Sequence, residues 1–122
     1  MELTNAEWKL MKLLWEKPMS IAQLTKACKG YTDWGKNTII VFLKRLMDKG
    51  AISFRQEERT KIFFPLVDKD IVSFDAAEEL LGRSFSGKCS LLIDNLLTRN
   101  ALSGDEIARI REMLNAYDKR KE

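Results

Sequence analysis

The spacing of the apolar residues changes twice along this chain of 122 residues, and that change restricts the folds open to it. Up to residue 50 they recur every three or four positions, as they do on one face of an amphipathic helix. From residue 52 to residue 64 they alternate with polar residues, which is typical of strands with one buried face. Helical spacing returns after residue 67. The sequence therefore predicts helices on both sides of one hairpin.

Capping signals and apolar stripes define three helices in the first part of the chain. Thr4 with Glu7, and Ser20 with Gln23, are capping boxes that start the first two helices. Gly50 is the residue expected to end the third. The three apolar stripes are Leu10, Met11, Leu14 and Trp15; Ile21, Leu24, Ala27 and Cys28; and Ile39, Phe42, Leu43, Leu46 and Met47.

A β-hairpin is predicted after the third helix. Ile52 and Phe54, then Ile62 and Phe64, alternate with polar residues on either side of a turn at residues 57–60. Three helices followed by a hairpin is the element order of a winged helix-turn-helix, in which the hairpin forms the wing and the third helix reads DNA. The fold class expected here is therefore mainly α (α+β), with a winged helix-turn-helix at its start.

Three further helices are predicted beyond the wing. The fourth begins at Asp68 or Asp70 and ends at Gly82, the fifth runs from residue 86 or 87 to about residue 99, and the sixth begins with a third capping box. The fifth carries five large aliphatic residues in seven positions, a face too wide for the surface of a monomer, so another surface must cover it. These five are Leu91, Leu92, Ile93, Leu96 and Leu97.

Composition excludes most catalytic chemistries. The chain has no histidine, which removes the commonest general base, the usual partner of a serine or cysteine nucleophile, and the commonest metal ligand. Adjacent acidic residues such as Glu78 and Glu79 diverge by about 100° on a helix, so they do not converge on one metal ion. We expect a protein that is not an enzyme and has no cofactor.

The two cysteines and the start of the chain indicate the compartment. Cys28 and Cys89 form no closely spaced pair, and we expect both to be reduced thiols. The first residues show no basic stretch followed by an apolar one, and no apolar run reaches the roughly 18 residues of a membrane span. We therefore expect a cytoplasmic protein without membrane insertion. Cys28 is expected to be buried, whereas Cys89 is left open between an inert and a redox-active thiol.

The positive charge of the chain is concentrated in its first half. Residues 1–66 carry twelve basic and seven acidic side chains, a net charge of +5, whereas residues 67–122 have a net charge of −2. The first half is therefore the half expected to face a polyanion. The outer face of the third helix combines cations for phosphates, an amide for adenine and methyl groups for thymine. The residues predicted to bind double-stranded DNA are Lys36, Asn37, Thr38, Ile40, Val41, Lys44 and Arg45 on the helix, and Arg55, Arg59 and Lys61 on the wing.

Two features of this predicted surface have a second interpretation. Ile40 and Val41 are unusual on a solvated helix face, so they either contact thymine methyl groups or belong to a wider buried stripe. The wing cations either follow the DNA backbone and minor groove, or pair with Glu57 and Glu58 in a solvated turn.

Stretches in both halves of the chain resemble one family of regulators. They are Leu3-Thr4-Asn5-Ala6-Glu7-Trp8 with Met11 and Leu14-Trp15-Glu16, then Trp34, Asn37-Thr38-Ile39, Leu43, Arg45-Leu46, Lys49-Gly50 and Phe63-Phe64-Pro65-Leu66-Val67, and in the second half Leu102-Ser103-Gly104-Asp105-Glu106-Ile107 with Leu114-Asn115. On these residues the sequence resembles the penicillinase and methicillin-resistance repressor family, which also includes copper-responsive repressors. The resemblance covers nearly the whole chain. It departs at Gly35, where Ser or Thr is common, and at Ile40, where polar or basic residues occur.

The resemblance implies a homodimeric, sequence-specific repressor whose two winged domains bind the halves of a palindromic operator. The implied domains are a winged helix-turn-helix DNA-binding domain, residues 1–67, and a three-helix dimerisation domain, residues 68–122. The residues expected in the contact between the two copies are Ile71, Phe74, Leu80, Leu81, Leu91, Leu92, Ile93, Leu96, Leu97, Ile107, Ile110 and Leu114.

The resemblance also implies how repression is relieved. β-Lactam-responsive members are inactivated by proteolysis in the dimerisation region, commonly at an Asn-Phe bond. The closest stretch here is Asp94-Asn95-Leu96, which makes the bond between Asn95 and Leu96 the candidate cleavage site and a sensor-protease system an expected partner. Because winged helices also dock on proteins, the alternative is a protein-interaction module that does not bind DNA directly.

Overall fold

A computed structural model of the protein describes residues 1–121 and confirms the predicted fold class. Three helices are followed by a two-stranded antiparallel hairpin and then by three more helices. The elements are α1 (Asn5–Glu16), α2 (Ile21–Cys28), α3 (Lys36–Asp48), β1 (Ile52–Glu57), β2 (Thr60–Pro65), α4 (Lys69–Ser84), α5 (Cys89–Thr98) and α6 (Gly104–Lys121).

The predicted starts of the first two helices are confirmed. The Thr4 hydroxyl accepts a hydrogen bond from the Glu7 N–H at 3.2 Å, and the Glu7 carboxylate accepts one from the Thr4 N–H at 2.8 Å. Ser20 and Gln23 make the same reciprocal pair of bonds at the start of α2, at 3.2 and 2.9 Å. Each box satisfies N–H groups that the first turn of a helix otherwise leaves without a partner.

One hydrophobic core holds α1, α2, α3 and the hairpin together. The predicted stripes of the three helices supply most of it, and the hairpin adds one residue from each strand. Trp15 fixes the end of the wing to α1, because its indole N–H donates to the Val67 carbonyl at 3.0 Å. The core residues are Leu10, Met11, Leu14, Met19, Leu24, Cys28, Ile39, Leu43, Leu46, Ala51, Ile52 and Phe63.

The register of the hairpin corrects the predicted alternation of β2. Phe54 lies opposite Phe63, and directly opposed residues of antiparallel strands share a face. Phe63 is buried, whereas Ile62 and Phe64 lie on the other face and are half-buried, so the buried position of β2 is Phe63 and not the predicted alternating pair. The Phe63 backbone also exchanges hydrogen bonds with Met19 at 2.8 and 3.1 Å. This pairing with a distant residue holds β2 against the core, and alternation within β2 could not indicate it.

A buried ion pair joins the start of α1 to the end of α3. Glu7 is fully buried, and its Oε1 accepts a hydrogen bond from Lys49 Nζ at 2.7 Å. Burial by itself would raise the pKa of Glu7, but hydrogen bonds from Lys49 and Thr4 outweigh it and hold the pKa below its ordinary value. The carboxylate therefore stays charged near neutral pH and holds Lys49 against α1.

The boundary between α4 and α5 differs from the predicted one. α4 continues through Gly82, so the predicted stop at that glycine is wrong. The left-handed residues come later, at Ser86 (φ +52°) and Gly87 (φ +76°), and the Gly87 N–H donates to the Leu81 carbonyl at 2.8 Å. Left-handed backbone of this kind ends a helix. These two residues therefore form a turn, and α5 begins only at Cys89.

The chain divides into two compact units, residues 1–77 and the residues from Glu78 on. The buried residues among those described all belong to the first unit, and the last of them is Val72 on α4. None of residues 78–121 is buried. A helical segment without a buried side chain has no core of its own. The predicted domain boundary after residue 67 stays a prediction.

Candidate nucleic-acid interface

The core sets which face of α3 is exposed. Ile39, Leu43 and Leu46 are buried, and their spacing of three to four positions places them on one side of the helix. The side chains between them point away from the core. All seven helix residues predicted to bind DNA are exposed: Lys36, Asn37, Thr38, Ile40, Val41, Lys44 and Arg45.

Two aliphatic side chains lie on this exposed face. Ile40 is 39% and Val41 is 49% exposed, so the alternative that they belong to the buried stripe is wrong for this chain. Exposed aliphatic residues on a surface helix are common singly, but here they adjoin Asn37 and Lys44 one helical turn away. Methyl groups, an amide and cations on one face are the groups that the major groove of DNA can bind.

Aromatic contacts position the start of α3. The ring of Trp34 packs on the ring of Phe42 with centroids 4.9 Å apart, and the backbone N–H of Trp34 donates to the Thr32 hydroxyl at 3.2 Å. The Arg45 guanidinium lies 5.6 Å from the Phe42 ring centroid. The contact between Trp34 and Phe42 holds the turn between α2 and α3 against α3, and both rings pack against the hydrophobic core.

The wing carries cations in different surroundings. Arg55 pairs with Glu57 at 2.8 Å, with both side chains exposed, and its predicted contact with DNA stays a prediction. Lys61 instead lies 4.6 Å from the Phe54 ring centroid. Arg59 follows Glu58, whose backbone is left-handed at φ +54°, and is exposed at the tip of the wing.

A groove between α2, the first residue of α3 and the wing brings together five cations. Its volume is about 880 Å³. Three of these cations belong to the interface predicted from the sequence, whereas Lys26 on α2 and Lys29 at its C-cap do not. Their signal was available, because both are exposed cations at the end of the short helix that precedes α3. We call this the basic groove; its cations are Lys26, Lys29, Lys36, Arg59 and Lys61.

The residues expected in a dimer contact are not buried within the single chain. Exposed among them are Ile71, Phe74, Leu80, Leu91, Leu97 and Leu114, and half-buried are Leu81, Leu92, Ile93, Leu96, Ile107 and Ile110. Met113 and Tyr117 add exposed apolar surface to α6. In the candidate cleavage bond, Asn95 is exposed and Leu96 half-buried, and both lie inside α5.

The cysteines lie in contrasting surroundings. Cys28 is buried in the core, where burial raises the pKa of its thiol, although a hydrogen bond with Thr32 partly opposes this. The burial confirms the expected position of Cys28 in the core. Cys89 is free and exposed at the first residue of α5, and its reactivity stays open.

Residues 1–121 lack two further kinds of feature. In this part of the chain, no group of three or more acidic or cysteine side chains is placed to hold a metal ion. No helix in it has the length and the apolar character needed to cross a lipid bilayer.

Comparison with known proteins decides the family. Residues 3–116 match the family described as penicillinase repressor. The chain belongs to that family. It is 26% identical over 115 residues to the methicillin resistance regulatory protein MecI of Staphylococcus aureus, covering 93% of this chain and 94% of that protein. It is also 26% identical over 121 residues to the penicillinase repressor of Bacillus licheniformis, covering 98% and 94%. The resemblance inferred from the sequence is confirmed.

Solved structures agree with this assignment. The solution structure of the DNA binding domain of the repressor BlaI matches with a TM-score of 0.52 and 28% identity, covering 56% of this chain and 84% of that chain. A mutant of MarR from E. coli matches with a TM-score of 0.55 and 16% identity, covering 95% and 78%, which supports the fold alone.

Proposed function

We propose that this protein is a sequence-specific transcriptional repressor that binds double-stranded operator DNA and has no catalytic activity. The observation that carries the proposal is the exposed face of α3 in a member of the penicillinase repressor family. With 13 residues, α3 is about 20 Å long, and the DNA major groove, about 12 Å wide, admits an α-helix. Cations would bind phosphates, while Asn37 and the methyl groups of Ile40 and Val41 would read base edges.

The active form in this proposal is a homodimer. The second unit exposes Leu80, Leu91, Leu97 and Leu114, and none of its described residues is buried, so association with a second copy would supply the missing core. A twofold dimer presents two recognition helices about 34 Å apart, one turn of DNA, and therefore requires a palindromic operator.

A gel shift tests the proposed function. The full chain should retard DNA from the promoter upstream of its own gene, and the logarithm of the binding constant should fall linearly with the logarithm of the salt concentration. Unrelated DNA of equal length should bind more weakly at every salt concentration. No retardation of either DNA at low salt would contradict DNA binding and favour the protein-interaction module.

Two variants of α3 should differ in what they lose. Arg45→Ala removes an exposed cation, so it should weaken binding to operator and unrelated DNA by the same factor. Asn37→Ala removes an amide that can pair with a base, so it should cost operator binding about 1 to 3 kcal/mol and leave unrelated DNA unaffected. Fluorescence anisotropy with both duplexes measures the difference. The same loss on both duplexes for both variants would contradict this division of roles.

We further propose that proteolysis between Asn95 and Leu96, by a sensor-protease system, relieves repression. The bond lies inside α5, so a protease needs that helix to unfold locally. Cleavage would separate α6 from the winged unit and remove part of the surface proposed for the second copy. Mass spectrometry of induced cells should then find a fragment that ends at Asn95, and derepression without that fragment would contradict cleavage at this bond.

A further inference from the structure

The two faces of the wing differ in charge. Directly opposed residues of the hairpin share a face, so Lys61 lies on the face of Gln56 and Phe54. Arg55 lies on the opposite face, where it pairs with Glu57. The wing therefore presents one face with an available cation and another whose arginine is already neutralised by a carboxylate.

The grooves on the two sides of the wing tip also differ in charge. On one side, the basic groove has Lys26 and Lys29 from α2 and its C-cap, Lys36 from α3, and Arg59 and Lys61 from the wing, and no carboxylate lines it. On the other side, a second groove is lined by Glu57 and Glu58 together with neutral residues. Among residues 1–121, none of the five cations of the basic groove forms an ion pair.

We propose that the basic groove binds the phosphodiester backbone of DNA, with Lys26 and Lys29 as contacts. The proposal rests on the proposed function and adds two lysines to the interface predicted from the sequence. Five cations without carboxylate partners repel one another, and a strand of regularly spaced phosphates relieves that repulsion. Lys36 belongs both to this groove and to the exposed face of α3, so one duplex reaches both surfaces.

The salt dependence of DNA binding separates this proposal from a general effect of charge. Each phosphate contact contributes about 0.9 to the slope of log binding constant against log salt concentration. The double variant Lys26→Ala/Lys29→Ala should lower that slope by about 2 for each protomer bound, and should lower affinity at least ~10-fold at 0.1 M salt. The matched control Lys12→Ala/Lys17→Ala removes the same two positive charges from exposed positions outside the groove. It should keep the slope of the unmodified protein.

Any DNA duplex serves as the probe, because phosphate contacts do not depend on sequence. The measurement is fluorescence anisotropy across a salt series, with circular dichroism melting to establish that both double variants fold. An unchanged slope for Lys26→Ala/Lys29→Ala, or an equal fall for the control, overturns the proposal while DNA binding itself stands. Failure of the unmodified protein to bind any duplex at low salt overturns both this proposal and the proposed function. Binding without preference for promoter DNA contradicts only the sequence-specific repressor.

Discussion

Replacing Leu91 and Leu97 together by aspartate should produce a monomer that binds operator DNA at least ~100-fold more weakly than the unmodified protein. Both leucines are on α5 and are 45% and 44% exposed in the single chain, so aspartates there stay solvated in a monomer. In the proposed dimer the same positions would bury two charges in each copy, which opposes association. A monomer engages one half-site alone and loses the gain that linkage to the second half-site provides.

Sedimentation equilibrium and anisotropy measure the two effects. The variant should sediment at the 14.1 kDa of one chain, and the unmodified protein at twice that mass. The control Ser90→Asp/Asn95→Asp adds the same charge at exposed polar positions of α5 and should remain dimeric. Near-ultraviolet circular dichroism from the tryptophans of the first unit reports whether that unit stays folded. An unmodified protein that sediments as one chain at micromolar concentration would contradict the proposed dimer.

Replacing Lys49 by methionine should lower the free energy of unfolding by about 2 to 3 kcal/mol, because it leaves the buried Glu7 carboxylate without its cation. The lysine side chain is 36% exposed, so water reaches the pair and keeps the loss below that of a fully buried one. The double variant Glu7→Gln/Lys49→Met retains a side-chain acceptor for the Thr4 N–H and removes the buried charge. This double variant should recover most of the free energy of unfolding that Lys49→Met loses. Urea unfolding measures all three proteins.

Acid should remove the stabilisation that the ion pair between Glu7 and Lys49 provides. Because the native pKa of Glu7 is lowered, its contribution to stability is complete above the ordinary pKa of a glutamate. That contribution disappears as the pH falls through the lower native value. The stability advantage of the unmodified protein over Glu7→Gln should therefore be constant near neutral pH and shrink in acid. An advantage that does not change between about pH 7 and pH 3 would contradict the role given to this carboxylate.

The distance along the chain between interacting residues separates the correct predictions from the wrong ones. The capping boxes at Thr4 and Ser20 join residues three positions apart, so a short stretch of sequence contains the whole interaction. The pairing of Glu7 with Lys49 joins residues 42 positions apart, and nothing near either residue indicates it. The same limitation explains the face of β2, which depends on the backbone of Met19.

The candidate interface also combines features that the sequence predicted with features that only the tertiary structure decided. The polar members of the α3 face followed from helical spacing, because that spacing places them opposite Ile39, Leu43 and Leu46. Helical spacing did not predict whether Ile40 and Val41 belong to this exposed face, since the width of a buried stripe depends on what packs against it. Lys26 and Lys29 share the basic groove only because the wing lies beside them.

The sequence by itself determined the order of the elements, the starts of the first two helices, the family and the presence of an exposed polar face on α3, because each depends on neighbouring residues or on a repeated pattern. The tertiary structure decided the register of the wing, the ion pair between Glu7 and Lys49, and which cations share one groove. These depend on elements brought together by packing, and side chains that meet only through packing leave no periodic signal along the chain.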